Sequence, residues 1–189
     1  TPDADVYPTE VRDENGYYRF TVNIDGKEYA KVALSVPGRH NMLNALACCA
    51  AAEFLGVPSE AAEKGLNKFT GSSRRFQLVG KMPNGATVVD DYAHHPRELH
   101  ALLETVKTMG YRRVLCAFQP HTYTRTKALF PEFVDALKQC DQAVLAPIYA
   151  AREQNTIGIY SSDIAKEPRA RPGFPVGLCS ISCPGAAIS

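Results

Sequence analysis

The sequence predicts an α/β protein in two parts, the second of them built on a mostly parallel sheet. Three observations carry that prediction. Residues 17–36 alternate apolar and polar side chains around an Asp25–Gly26 turn, the pattern of an antiparallel hairpin. Residues 41–69 then change to helical spacing. From Ala86 onward, short apolar runs alternate with longer amphipathic ones, which implies right-handed crossovers between parallel strands.

Taken in order, Tyr18, Phe20, Val22 and Ile24 mark the first strand, and Tyr29 to Val36 returns until Pro37–Gly38 breaks it. Asn41 to Leu55 places Leu43, Leu46, Ala47, Ala50 and Phe54 at helical spacing and stops at Gly56. Pro58–Ser59 opens a second helix that ends near Phe69. The small residues Thr70–Ser73 read as a linker, which sets domains over 1–72 and 73–189. Beyond the linker, strands are expected over Ala86–Asp90, Val114–Phe118 and Ala143–Leu145. Helices are expected from Pro96 to about Met109, with Glu98 suiting the helix dipole, and over 126–138. If the three strands are parallel neighbours, the loops that follow them converge on one rim, where such sheets bind ligands.

Composition narrows the function. A formal net charge of +1 offers no field for nucleic acid or an acidic membrane. No apolar run reaches the ~18 residues of a membrane span, and because the first residues are polar and acidic no signal peptide is expected. Cys48, Cys49, Cys116 and Cys140 read as small buried hydrophobes in a reducing compartment. Cys179 and Cys183 lack a second Cys/His pair, so no metal site is expected and the cytoplasm is the expected location.

The three loops are Asp90–Pro96, Gln119–Thr126 and Ile148–Glu153, and they carry carboxylates, imidazoles and two guanidinium groups. That mixture suits a polyanionic or zwitterionic small ligand. Blander readings stand beside it. Asp91 alternatively caps a turn. His94–His95 invites a metal, but His100 lies off the i, i+4 face that a helical zinc site uses. Arg125 is either a solvated residue or a partner for an anion, since a cation is unfavourable at a helix start. His40, Asn41 and Asn44 fall on a first helical turn, where amides suit a base edge but an Asn cap is the plainer reading. Arg74–Arg75 is either a hinge-borne phosphate or ribose contact or a surface pair.

Five motifs appear in order over residues 37–153: G-R-H-N-x-x-N-A, G-S-S-R-R-F, D-D-Y-A-H-H-P, F-Q-P-H-x-Y-x-R-T and Y-A-A-R-E. Together they resemble the Mur ligase family, and the third and fourth resemble its alanine-adding branch. The family's tripeptide-recycling branch is the nearest alternative. The resemblance implies a cytoplasmic three-domain enzyme that uses ATP and Mg2+ to join UDP-N-acetylmuramate to L-alanine. In that chemistry ATP phosphorylates the muramic carboxylate, and the amine attacks the acyl phosphate. Residues 1–72 would then be the end of the central ATPase domain, and 73–189 a Rossmann-like terminal domain. The match further implies that His40, Asn44 and Tyr92 lie at the adenine, Asp91 at the ribose and Arg75 at the nucleotide. His94, His121 and Arg125 would face the acyl and amino-acid side.

Two departures qualify the match. A G-x-x-G-K-[ST] phosphate loop is nowhere in the sequence; Gly26–Lys27 and Gly80–Lys81 lack its other residues. The expectation is therefore that catalytic and magnesium-binding groups lie upstream and that this chain is inactive alone. After about Glu167 the recognisable pattern stops, and an atypical tail stands where a last strand and helix are expected. Two other classes stay open on the residues alone: a non-catalytic nucleotide-binding module, and a metal-dependent hydrolase using His94, His95 and His121.

Overall fold

The structure is a computed structural model that describes residues 4–167 and the backbone of 176–178. Two compact units divide it, residues 1–92 with 104–110 and residues 93–103 with 111–189.

In the first unit, β1 (Val6–Glu14), β2 (Tyr17–Ile24) and β3 (Lys27–Ala33) form an antiparallel meander. Only two strands were expected there. β1 carries Pro8 and a run of charged residues and lies at the sheet edge, so its apolar alternation is weak. The overlooked signal is Asn15–Gly16, at φ 55° and 86°, a two-residue turn whose positive φ values match the twist of a hairpin. Asp25–Gly26, at 48° and 75°, repeats the device as expected.

Phe20, Val22, Ala30 and Val32 turn one face of this sheet onto α1 (Arg39–Phe54), which buries Met42, Ala45, Leu46 and Cys49. α2 (Ser59–Lys68) runs along the open edge of β3. There Glu63 accepts from the Lys31 amide at 2.8 Å and Asn67 from the Ala33 amide at 2.7 Å. Side chains thus satisfy edge groups that would otherwise template another strand. Cys49 is buried, which pushes its thiol up to about 11, whereas Cys48 is exposed, contrary to expectation. The unit also holds a hairpin of β4 (Gln77–Lys81) and β5 (Thr87–Asp90).

The second unit contains β6 (Leu115–Phe118), β7 (Gln142–Leu145) and β8 (Val176–Leu178), paired in that order and all parallel. The expectation that strand 86–90 neighbours strand 114–118 is corrected here. β5 pairs antiparallel with β4 (Gln77↔Asp90 to Lys81↔Thr87), a strand that the charged, Gly-interrupted sequence around residue 80 concealed. The mostly parallel sheet is therefore one of three small sheets. Leu99 and Leu103 of α3 (Pro96–Thr108) join Phe118, Phe133, Leu137, Ala143, Leu145 and Ile164 in the core of this unit.

The single helix expected over 126–138 is two, α4 (Tyr123–Ala128) and α5 (Phe130–Leu137). Pro131 has no N–H to donate to the carbonyl four residues back, so the turn breaks at Leu129 (φ −115°, ψ 27°). α6 (Ser161–Lys166), too short to show a period, is tied to the end of β7 by Ser161 Oγ donating to the Ala146 carbonyl at 2.6 Å. β8 lies beyond Glu167, where the recognisable pattern was expected to end. Cys179 and Cys183 lie outside the described residues.

Gly38, the N-cap of α1, sits at φ 103° and ψ 138°, a region essentially reserved for glycine. A Cβ there would stand 2.5 Å from His40 Cε1 and 2.8 Å from Thr105 Oγ1. Gly38→Ala should therefore lower unfolding free energy by about 1–3 kcal/mol. Urea melts of both proteins check it, and an unchanged midpoint would refute the strained entry to α1.

Candidate functional site

Two groups of polar side chains stand out, one in each unit. In the first, Gly38 offers α1 no side-chain cap, and the Asn41 amide turns back to the Gly38 carbonyl at 3.0 Å. Asn41 Nδ2 donates to the Pro37 carbonyl at 2.7 Å and Asn44 Nδ2 to Asn41 Oδ1 at 3.3 Å. Asn41 therefore holds the strand-to-helix loop, while Asn44 shares a helix face with His40.

The G-S-S-R-R-F turn is stitched to the loop after β5. Asp91 Oδ2 accepts from the Phe76 amide at 2.7 Å, and the Tyr92 amide donates to the Arg74 carbonyl at 2.8 Å. The Arg74 guanidinium lies 4.6 Å from the Tyr92 ring centre and 3.5 Å from Asp90 Oδ2. Arg74 and Phe76 both adopt positive φ, 57° and 47°, which keeps this turn tight. His40 feels the result. Partial desolvation pushes its imidazole below 6.5, the Asp91 carboxylate pulls it back up, and the Arg75 guanidinium lowers it again. His40, Arg75 and Asp91 thus share one electrostatic neighbourhood, and Asn44 and Tyr92 are tied to it by α1 and by the Arg74 turn.

In the second unit the loops preceding α3, following β6 and following β7 meet. His94 and His121 pack edge to face with ring centres 5.9 Å apart, and His121 stacks on Tyr149 at 5.2 Å and 17°. The Tyr149 amide donates to the Pro120 carbonyl at 2.8 Å, extending the parallel pairing one step past the strands. Arg125 Nη1 donates to the His121 carbonyl at 2.9 Å and lies 3.3 Å from His121 Nδ1. Among the described residues no carboxylate pairs with Arg125, which lies in the first turn of α4.

His95 is a helix cap. Its Nδ1 accepts from the Arg97 amide at 3.2 Å, while Glu98 Oε2 accepts from the His95 and His94 amides at 3.1 and 3.0 Å. Glu98 supplies the carboxylate half of a capping box, and the His95 ring caps the second-residue amide in place of serine. His94 Nδ1 stands 3.6 Å from the same carboxylate. Among the described residues no three His, Cys, Asp or Glu side chains are grouped as a metal ion would need. The zinc-hydrolase alternative finds no support in this geometry.

The Mur ligase glutamate-ligase domain profile matches residues 74–179. The chain belongs to the Mur ligase family. Its match runs past Glu167 and takes in β8, further than the five motifs reach. Over 161 residues the chain is 49% identical to the UDP-N-acetylmuramate–L-alanine ligase of Agathobacter rectalis, covering 85% of this chain and 35% of that protein. The corresponding ligase of Caldanaerobacter subterraneus is 47% identical over 150 residues, or 79% of this chain and 32% of the relative. The crystal structure of UDP-N-acetylmuramate–alanine ligase from Thermotoga maritima superposes with a TM-score of 0.71 at 27% identity, over 95% of this chain and 38% of that one. This chain thus spans about a third of the length of the curated relatives it matches.

Within the Mur ligase frame, the candidate residues divide between the two units. His40, Asn44, Arg75, Asp91 and Tyr92 belong to the first unit, and His94, His121 and Arg125 to the second. Tyr149, Glu98 and Glu153 acquire partners that sequence reasoning did not give them. For Glu98 the signal was present: a carboxylate three residues after a cap position.

The His40 environment makes a testable pH statement. Its folded value lies below 6.5, so just under that pH the unfolded chain binds more protons. The contribution of His40 to stability is full above 6.5 and is lost as pH falls through the folded value. By NMR the ring should titrate below 6.5, and Asp91→Asn should move the midpoint lower still. A midpoint that ignores the Asp91 charge would separate the two residues.

Proposed function

We propose that this chain is the carboxy-terminal portion of a UDP-N-acetylmuramate–L-alanine ligase that acts in the cytoplasm on peptidoglycan precursors. The sustained identity to alanine ligases along both halves of the chain carries this reading over that of a tripeptide-recycling relative. Residues 1–72 are assigned to the end of the central ATP-binding domain and 73–189 to the terminal domain. The start of the family match at residue 74 supports that division, while the compact units divide later, after Tyr92.

Each residue's role follows from its setting. A mainly neutral His40 and the Asn44 amide present donors and acceptors suited to a base edge. Asp91, its Oδ2 oriented by the Phe76 amide, accepts from ribose hydroxyls, and Tyr92, held under the Arg74 guanidinium, borders the base. Arg75 faces the nucleotide. In the second group, Arg125 has Nη1 committed to His121, which fixes the guanidinium plane and leaves Nε and Nη2 as a second edge for the carboxylate of L-alanine. His94 and His121 border the acyl group. ATP supplies the phosphoryl group that activates the muramic carboxylate, with magnesium offsetting its charge. The ATP phosphates and magnesium are assigned mainly to residues upstream of this chain, because this sequence carries no G-x-x-G-K-[ST] phosphate loop.

The test is turnover. The complete protein should release phosphate only when UDP-N-acetylmuramate, L-alanine and ATP are all present, and this chain alone should release none. Within the complete protein, Asp91→Asn should raise the KM for ATP more than that for L-alanine, since a ribose contact contributes mostly ground-state binding. Turnover that ignores alanine would overturn the reading, and a shift in the alanine KM alone would remove Asp91 from the ribose.

A further inference from the structure

Glu153 ends the Y-A-A-R-E motif on the loop after β7, a tight turn in which its amide donates to the Ala150 carbonyl at 2.9 Å and Ala151 adopts φ 52°. Its carboxylate reaches across to the loop after β6. Oε1 accepts from Thr122 Oγ1 at 2.6 Å and from Thr124 Oγ1, and Oε2 accepts from the Thr124 amide at 2.9 Å. Among the described residues no cation takes part in this arrangement, and neutral donors hold the charge. They hold its carboxyl down at about 2, the hydroxyl of Thr122 contributing most. The anion also takes the Thr124 amide in the first turn of α4, which the Thr122 side chain, turned to Glu153, does not cap.

The placement matters because Thr122 directly follows His121, and its carbonyl accepts from the Thr126 amide at 2.9 Å and from Thr126 Oγ1 at 2.6 Å. Arg125 lies between those anchors and donates to the His121 carbonyl. The loop is thus fastened to its neighbour twice, by the Pro120–Tyr149 bridge with its His121–Tyr149 stack before residue 122, and by Glu153 after it.

We propose that Glu153 is a positioning residue: it fixes the turn that carries His121 and Arg125, so that both face the amino-acid substrate in a preset arrangement. The proposal rests on the reading that these two residues face that substrate. Glutamine at 153 keeps the shape but has one acceptor oxygen for three donors, and it adds an N–H pair of its own.

Two measurements test it separately. In this chain, followed by NMR, the Glu153 carboxyl should stay ionised below pH 4.5, its ordinary value, and Glu153→Gln should shift the His121 ring signals away from those set by the Tyr149 face. This arm is independent of the enzymatic reading. Titration of Glu153 near 4.5, or unmoved His121 signals, would overturn the clamp. In the complete ligase, Glu153→Gln and Thr122→Val should each raise the KM for L-alanine about tenfold, the scale of a hydrogen bond to a charged group. The KM for ATP and the melting temperature should hold, and Thr122→Ser should restore most of what valine loses. Equal losses in both KM values, or a serine variant no better than valine, would make Glu153 merely structural. Absence of any alanine-dependent turnover in the wild-type protein would instead defeat the functional reading and leave the NMR arm to decide the clamp.

Discussion

Parallel pairing of β6 with β7 is the constraint on which the second unit depends. Because the strands run the same way, in the register Leu115↔Gln142 to Phe118↔Leu145, their following loops leave the sheet on the same side. Burial fixes that register. Phe118, Ala143 and Leu145 are enclosed with Phe133 and Leu137, and a slip of one residue would turn this set out of the core. The Tyr149 amide then reaches the Pro120 carbonyl, His121 meets Tyr149, and Arg125 finds the His121 carbonyl. Chemistry-bearing residues far apart in sequence are thereby brought within hydrogen-bond range by one short ladder.

The first unit solves a different problem with similar economy. Its meander is antiparallel, and the residues proposed to face the nucleotide come from a helix start and from a turn. What orders them is a set of backbone conformations rare for ordinary side chains, at Gly38, Arg74 and Phe76, each locked by hydrogen bonds to neighbours. Strain of this kind persists only where surrounding structure over-determines it, and here it surrounds His40, Arg75 and Asp91.

Much of this was legible in the sequence. The helices from Arg39, Ser59 and Pro96 and the strands of residues 87–90, 115–118 and 142–145 follow apolar periods strong enough to read directly. Glycine and proline signals marked most of their ends. β1 and β4 were illegible because edge strands with exposed faces need no apolar alternation. The break at Leu129 was written in Pro131, but the apolar period runs through it and masks the stop. Candidate residues were legible as types, through histidines and arginines in polar loops. Their partners were not, because these depend on which strand pairs with which: β5 joins β4 in one sheet, and Tyr92 meets the Arg74 guanidinium there. His95 shows the same limit, since its neighbour-dependent role as a cap looks identical in sequence to a metal ligand.

Residue-resolved hydrogen exchange on this chain tests the central claim most directly. If β6–β7 pairing holds the two loops together, the Tyr149 and Thr124 amides, bonded to Pro120 and Glu153, should be protected alongside the Ala146 amide bonded to Phe118. Protection at Ala146 with free exchange at Tyr149 and Thr124 would show loops that merely start at the same edge, and would contradict a preset site.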